Sequence, residues 1–210
     1  MKCHPEYFPS YGYLLLDFDD NDLQPIKKEI SKIENKEKIA KDAQAGLLGH
    51  IKREYELESC KAHLSDLIMS SISVFKQTFG DPVYVNNILS RNVSYFLDKA
   101  WVNFQEKHEF NPLHDHTGIY SFVIWIQIPY ISEDESKVFA DIPAERKRNG
   151  NFTFTYTNPL GILETKKIDA DKTFEGKGLL FPSMLNHSVY PFYTSDKYRI
   201  SVSGNIKYKV

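Results

Sequence analysis

Tyr120-Ser-Phe-Val-Ile-Trp-Ile-Gln-Ile128 is a run of nine uncharged residues, rich in aromatic and β-branched side chains, that stops at Pro129. Residues of this kind fit a pleated, packed surface, so the run reads as a strand. Working outward, similar runs occupy residues 93–96, 101–104, 151–156, 178–181, 187–191 and 198–208. About eight short strands separated by turn signals describe a sandwich or jelly roll, since no helical segments alternate with them as βαβ units require.

Upstream of Pro82 the pattern changes. Residues 11–18 read as one short strand, followed by Asp19, Asp20, Asn21 and Asp22, which supply turn and N-cap chemistry. Leu23, Ile26, Ile30 and Ile33 then recur at helical spacing, with Pro25 expected in the first turn. Ala43, Leu47, Leu48 and Ile51 suggest a second helical piece within 35–57, interrupted by Gly46 and Gly49. Leu64, Leu67, Ile68, Ile72 and Phe75 mark the strongest helix, over 58–79, stopped by Gly80-Asp81-Pro82. The expected class is therefore α+β, mainly β, with residues 1–82 as a helical support and 83–210 as the β core. Residues 132–150 read as an exposed polar loop over one end of that core, either a solvated insertion or a lid.

Composition narrows the function classes. A chain of 210 residues suits a single domain, 1–210. Hydrophobic residues make up 41% and aromatics 14%, which favours a packed fold over disorder. The formal charge of −2 supplies no broad positive field, so nothing here points to nucleic acid or an anionic membrane. Cys3 and Cys60 are too few for a disulfide framework. No apolar run approaches the length of a membrane span, and residues 1–10 lack the layout of an export signal, so a cytoplasmic setting is expected.

The chemistry sits in Leu113-His-Asp-His-Thr117. On a strand, alternation puts His114 and His116 on one face and Asp115 on the other. Two imidazoles at that spacing take adjacent positions on a metal, and a third ligand from a neighbouring strand, for which His187 is the candidate, completes a triangular face. The opposite face then stays open, as a ferrous ion requires to bind a bidentate keto acid and O₂. Arg199 follows His187 by enough chain for a turn and an antiparallel return, and its guanidinium suits a carboxylate. Ser201 shares the strand face of Arg199 and is placed to touch the same carboxylate. Surface histidines and a barrel-edge salt bridge are the plainer readings of these residues taken singly.

In order, Trp101-Val-Asn103, Asn111-Pro-Leu-His-Asp-His116, Ser121-Phe-Val-Ile-Trp-Ile-Gln-Ile-Pro129, Gly150-Asn-Phe-Thr-Phe154, Leu180-Phe-Pro-Ser183, His187 and Arg199 resemble the 2-oxoglutarate- and Fe(II)-dependent oxygenases. The likeness is greatest to the phage-associated, prolyl-hydroxylase-like branch, which would put the protein in a host cytoplasm. The resemblance implies a double-stranded β-helix (a cupin-like jelly roll). It implies iron on His114, His116 and His187, and 2-oxoglutarate on Arg199 with Ser201. It further implies O₂ as cosubstrate, and hydroxylation of a small-molecule or peptidyl substrate with release of succinate and CO₂. Asn103 and Tyr120 would flank the iron pair, either bonding the keto acid or satisfying the barrel backbone.

One departure stands out: the family usually has a carboxylate two residues beyond its first histidine, where this chain has His116. Asp115 replaces it only if a bulge turns that residue inward. A three-histidine set also fits a thiol-dioxygenase-like metalloenzyme without keto acid, and a non-catalytic jelly-roll binding module is the reading outside enzymes.

Overall fold

A computed structural model describes residues 11–82, 94–143 and 148–209. Among the described residues, ten strands form two antiparallel sheets. The larger contains β1 (Leu14–Asp17), β2 (Glu54–Glu56), β3 (Tyr95–Gln105), β5 (Tyr120–Gln127), β8 (Lys177–Pro182) and β10 (Arg199–Tyr208), in the spatial order β1-β8-β5-β10-β3-β2. The smaller contains β4 (Asn111–His114), β6 (Phe152–Thr157), β7 (Leu163–Ile168) and β9 (His187–Val189), in the order β4-β9-β6-β7. This is the expected double-stranded β-helix: Val123, Trp125, Leu179 and Phe181 of the large sheet pack on Phe152, Phe154 and Ile168 of the small one.

Two helices cover the outer face of the large sheet. Helix α1 (Asp20–Glu34) opens with a capping box between Asp19 and Asp22 and buries Leu23, Ile26, Ile30 and Ile33, the apolar stripe its sequence spells out. It begins early enough that Pro25 falls beyond the first turn, not within it. Helix α2 (Lys61–Phe79) buries Leu64, Ile68, Ile72 and Phe75 against the same sheet and ends at Gly80, whose φ of 77° suits a residue without a Cβ.

α2 has no capping side chain of its own. Instead Glu29 of α1 accepts the backbone N–H groups of Glu58, Ser59 and Cys60 and pairs with Lys38. Burial alone would raise this carboxyl, but bonds from Lys38, Ser59 and Cys60 hold it down to about 2.

The N-terminal third is less helical than expected. Between α1 and α2 the chain makes only a 3₁₀ turn (Gln44–Gly46) before β2 joins the edge of the large sheet beside β3. Two glycines and a run of charges leave no apolar helical face there. Residues 95–105 form one strand where two shorter ones were expected, because the charged pair Asp98-Lys99 is accommodated by a register shift at Asp98, after which pairing with β10 resumes. Strand β7, nearly all exposed, gives no apolar alternation to read and was not anticipated. The expectation at Val93 lies outside the described residues.

The segment 132–150 is also more than a solvated loop. It carries α3 (Ser132–Lys137), anchored by Glu135, whose buried carboxylate accepts the backbone N–H groups of Tyr193 and Thr194 and the Thr194 hydroxyl. No helix among the described residues is long and apolar enough to cross a membrane.

Candidate metal centre and ligand cleft

His114 and His187 are direct partners across the β4–β9 pair, and His187 also faces Phe154 on β6. His116 lies just beyond the end of β4, so strand alternation alone does not position it. Its backbone N–H donates to Ser183 O at 2.9 Å, and its ring rests edge-on to Trp101. The outcome is nonetheless convergent. The three ring centroids are 4.2–5.0 Å apart, and one nitrogen from each ring lies within 4.8 Å of the other two. Asp115 is exposed and lies outside this cluster.

The donor chemistry suits a divalent transition metal. His114 Nδ1 sits 2.7 Å from Pro112 O and His187 Nδ1 sits 2.9 Å from Leu185 O. A carbonyl only accepts, so each Nδ1 carries the proton and each Nε2 presents its lone pair. Burial depresses all three rings: His116 falls to about 4, helped by repulsion from His114, and His187 lies well below its ordinary value for the same reasons. Phe152 stacks on His187 at 5.3 Å and fixes that ring. Three neutral, oriented imidazoles on rigid walls fit iron, and none brings a negative charge.

These rings line a cleft that opens to solvent and is shared by Trp101, Asn103, Gln105, Arg199 and Ser201. Arg199 is 2% exposed, and all five of its N–H groups are engaged. Gln105 Oε1 takes the Nε and one terminal nitrogen, while Tyr130 OH, Gly150 O and Tyr190 O take the rest. The rings of Tyr130 and Phe192 flank the guanidinium. Every one of these partners is neutral, so among the described residues this buried cation has no ion-pair partner.

Ser201 pairs with Asn103 across β10 and β3, and its Oγ accepts from Asn103 Nδ2 at 3.2 Å. That leaves the hydroxyl proton without an acceptor among the described residues. Asn103 is itself fixed by Trp101 Nε1 at 3.1 Å and holds Ser203 as well, so it braces the wall.

Tyr120 is not part of this cleft. It shares strand parity with Ile124, points to the helix side of the sheet, and packs on Phe75 and Tyr95. Its expected contact with a keto acid is corrected accordingly. Trp101 and Trp125 are buried and also line the cleft.

Three residues escaped sequence reasoning. Gln105 and Tyr130 are the neutral partners of Arg199, and no motif marks them. Glu54 lies on β2, in the region misread as helical, and lines the cleft at 6% exposure. Burial, with repulsion from Asp42 and Glu109, pushes its carboxyl up to about 7.

Residues 99–205, just over half of the chain, match the family model described as "Putative 2OG-Fe(II) oxygenase". No curated protein sequence matches. Among solved structures, a Pseudomonas putida prolyl-4-hydroxylase is similar at 13% identity with a TM-score of 0.55, covering 95% of this chain and 94% of that one. A Trichoplax adhaerens prolyl hydroxylase, solved with a hypoxia inducible factor peptide fragment, is similar at 12% identity and 0.53, covering 95% and 84%. A viral collagen prolyl hydroxylase from Paramecium Bursaria Chlorella virus-1, solved with 2OG, is similar at 12% identity and 0.50, covering 94% and 96%. At such identities the shared property is the fold.

Proposed function

This chain belongs to the 2OG-Fe(II) oxygenase family, and on that footing we propose that it hydroxylates a substrate held in the cleft, with release of succinate and CO₂. It is an enzyme whose cofactors are Fe(II) and 2-oxoglutarate. The observation that carries the reading is the convergence of three neutral histidines with an uncompensated arginine in one cleft. Peptide binding by the Trichoplax relative favours a peptidyl substrate.

His114, His116 and His187 would hold the iron, presenting Nε2 at the two positions whose Nδ1 proton is fixed by a backbone carbonyl. Bound there, ferrous iron supplies the redox chemistry that couples oxidative decarboxylation of 2-oxoglutarate by O₂ to placing one oxygen atom in a substrate C–H bond. The remaining work belongs to the chain. Arg199 binds the far carboxylate of 2-oxoglutarate along its Nε edge, where Gln105 Oε1 now accepts two N–H groups and gives way to an anion. Ser201 donates its free hydroxyl proton to the same carboxylate. Trp101, Trp125 and Phe152 exclude water from the inner wall.

The test is an anaerobic titration with Fe(II) and 2-oxoglutarate, followed by the metal-to-ligand charge-transfer band. His114→Ala should lose the band, and Arg199→Lys should weaken 2-oxoglutarate by about 10- to 100-fold, the worth of a charged hydrogen bond. Unchanged 2-oxoglutarate affinity in the Arg199 variant removes that residue from its role. Oxidation without stoichiometric succinate would instead support the keto-acid-independent chemistry that a three-histidine set alone suggests.

A further inference from the structure

Four glutamates are buried among the described residues: Glu29, Glu54, Glu109 and Glu135. Three are each bonded to two or more donors of the protein. Glu29 takes three backbone N–H groups and Lys38, Glu109 takes the backbone N–H groups of Lys52 and Glu106, and Glu135 takes those of Tyr193 and Thr194. Glu54 has no hydrogen bond or ion pair to its carboxyl among the described residues, and its charged neighbours, Asp42 and Glu109, repel it. A carboxyl that the protein gives no donor is left to what the open cleft holds, so the packing of the fold does not account for this one.

Its position supplies a reason. Glu54 is paired with Asn103, and Asn103 with Ser201, so the three form one row across β2, β3 and β10. At about 4.8 Å between strands, Glu54 stands roughly 10 Å from the Ser201 strand, at the sheet's edge and on the same cleft. Leu47, Leu48 and Ile51 make an apolar lip beside it. That lip is seated on β4, the strand of His114. His50 N–H donates to Phe110 O at 2.9 Å, and Gly49 approaches Asn111 so closely that a Cβ there would lie 1.8 Å from its Oδ1.

The cleft thus offers two different charges. Arg199 is matched to the dianionic cosubstrate, which leaves Glu54 to the substrate. We propose that Glu54 selects the substrate, accepting a basic nitrogen, ammonium or guanidinium, carried on an aliphatic stem that lies along Leu47, Leu48 and Ile51. This rests on the cleft being the oxygenase active site. A site built to accept from a substrate N–H discriminates strongly against an analogue that lacks it, because the buried acceptor is then left bare.

The experiment uses the full chain with Fe(II) and 2-oxoglutarate under anaerobic conditions. The probes are free lysine and arginine, peptides containing each, and the neutral isosteres norleucine and citrulline in both settings. Calorimetric affinity and the shift in melting temperature are the readouts. A basic probe should bind about 10- to 100-fold more tightly than its isostere, and on admission of O₂ should yield a product one oxygen atom heavier. Glu54→Gln should erase that preference while melting no lower than the parent protein. Preference for free amino acids identifies a metabolite, and preference for peptides a protein residue; both support the assignment.

Equal binding of basic and neutral probes, no binding of any basic probe, or an undiminished preference in Glu54→Gln overturns it. The charge-transfer band is read in the same samples: its presence alongside any of these outcomes leaves the oxygenase reading standing, and its absence fails that reading separately.

Discussion

The junction beneath the helices and the edge of the large sheet beside the cleft each bury a glutamate, and they treat it in opposite ways. Under the helices, Glu29 gathers three backbone N–H groups and a lysine and is held down to about 2. At the sheet edge, Glu54 gathers no donor among the described residues and is pushed up to about 7. Similar burial therefore carries different meaning: a saturated carboxylate joins α1 to α2, whereas a bare one facing a cleft leaves its bonding capacity for a ligand.

That contrast can be broken from either side. The largest effect should come from the barrel, where His187→Ala removes a metal ligand and abolishes both the charge-transfer band and succinate formation; either signal surviving would mean the ion is held elsewhere. Next comes the junction. Glu29→Ala strands Lys38 and three N–H groups and should cost about 3–5 kcal/mol in denaturant unfolding, with 2-oxoglutarate affinity of the folded fraction unchanged. A loss well under that range would show that Glu29 does not hold the helices.

Glu54→Gln should act in the opposite sense, and with a pH signature. The folded carboxyl titrates near 7, above its ordinary 4.5. The folded state therefore holds the extra proton between those values, and the parent protein loses stability as pH rises through that window. The glutamine variant lacks that slope, so its advantage should be absent below about pH 4.5 and approach the order of 3 kcal/mol above pH 7. Parallel stability curves for the two proteins would argue that Glu54 is already partnered in solution.

Smaller still, Gly49→Ala should destabilise by about 1–3 kcal/mol, since a left-handed backbone and the Asn111 contact both resist a Cβ. It should also loosen probe binding at the lip. As a control, Leu160→Ser at the exposed turn between β6 and β7 should change stability by less than about 0.5 kcal/mol.

How far the sequence was legible follows the same division. Long strands with β-branched runs and helices with a clean apolar stripe were readable, because burial on a regular element imposes a period. The spacing of His114 and His116 and the order of His187, Arg199 and Ser201 pointed to residues that the fold gathers around one cleft. His116 nonetheless lies outside the strand whose alternation was used to place it, and it is Ser183 that positions its backbone. Tyr120 was misplaced because parity says which residues share a face, not which face looks inward. Glu54 was out of reach: a three-residue edge strand among charges carries no period, and an unpartnered carboxyl becomes visible only when its neighbours in space are known.

The edge strand β2 has one more implication. Glu54 and its lip belong to a stretch lying more than forty positions ahead of the matched region, residues 99–205, that carries the histidines and the arginine. Chemistry and choice of target are thus written in separate passages of the polypeptide. Exchanging residues 44–56 should redirect the enzyme to a new target while the iron-bearing barrel is left intact.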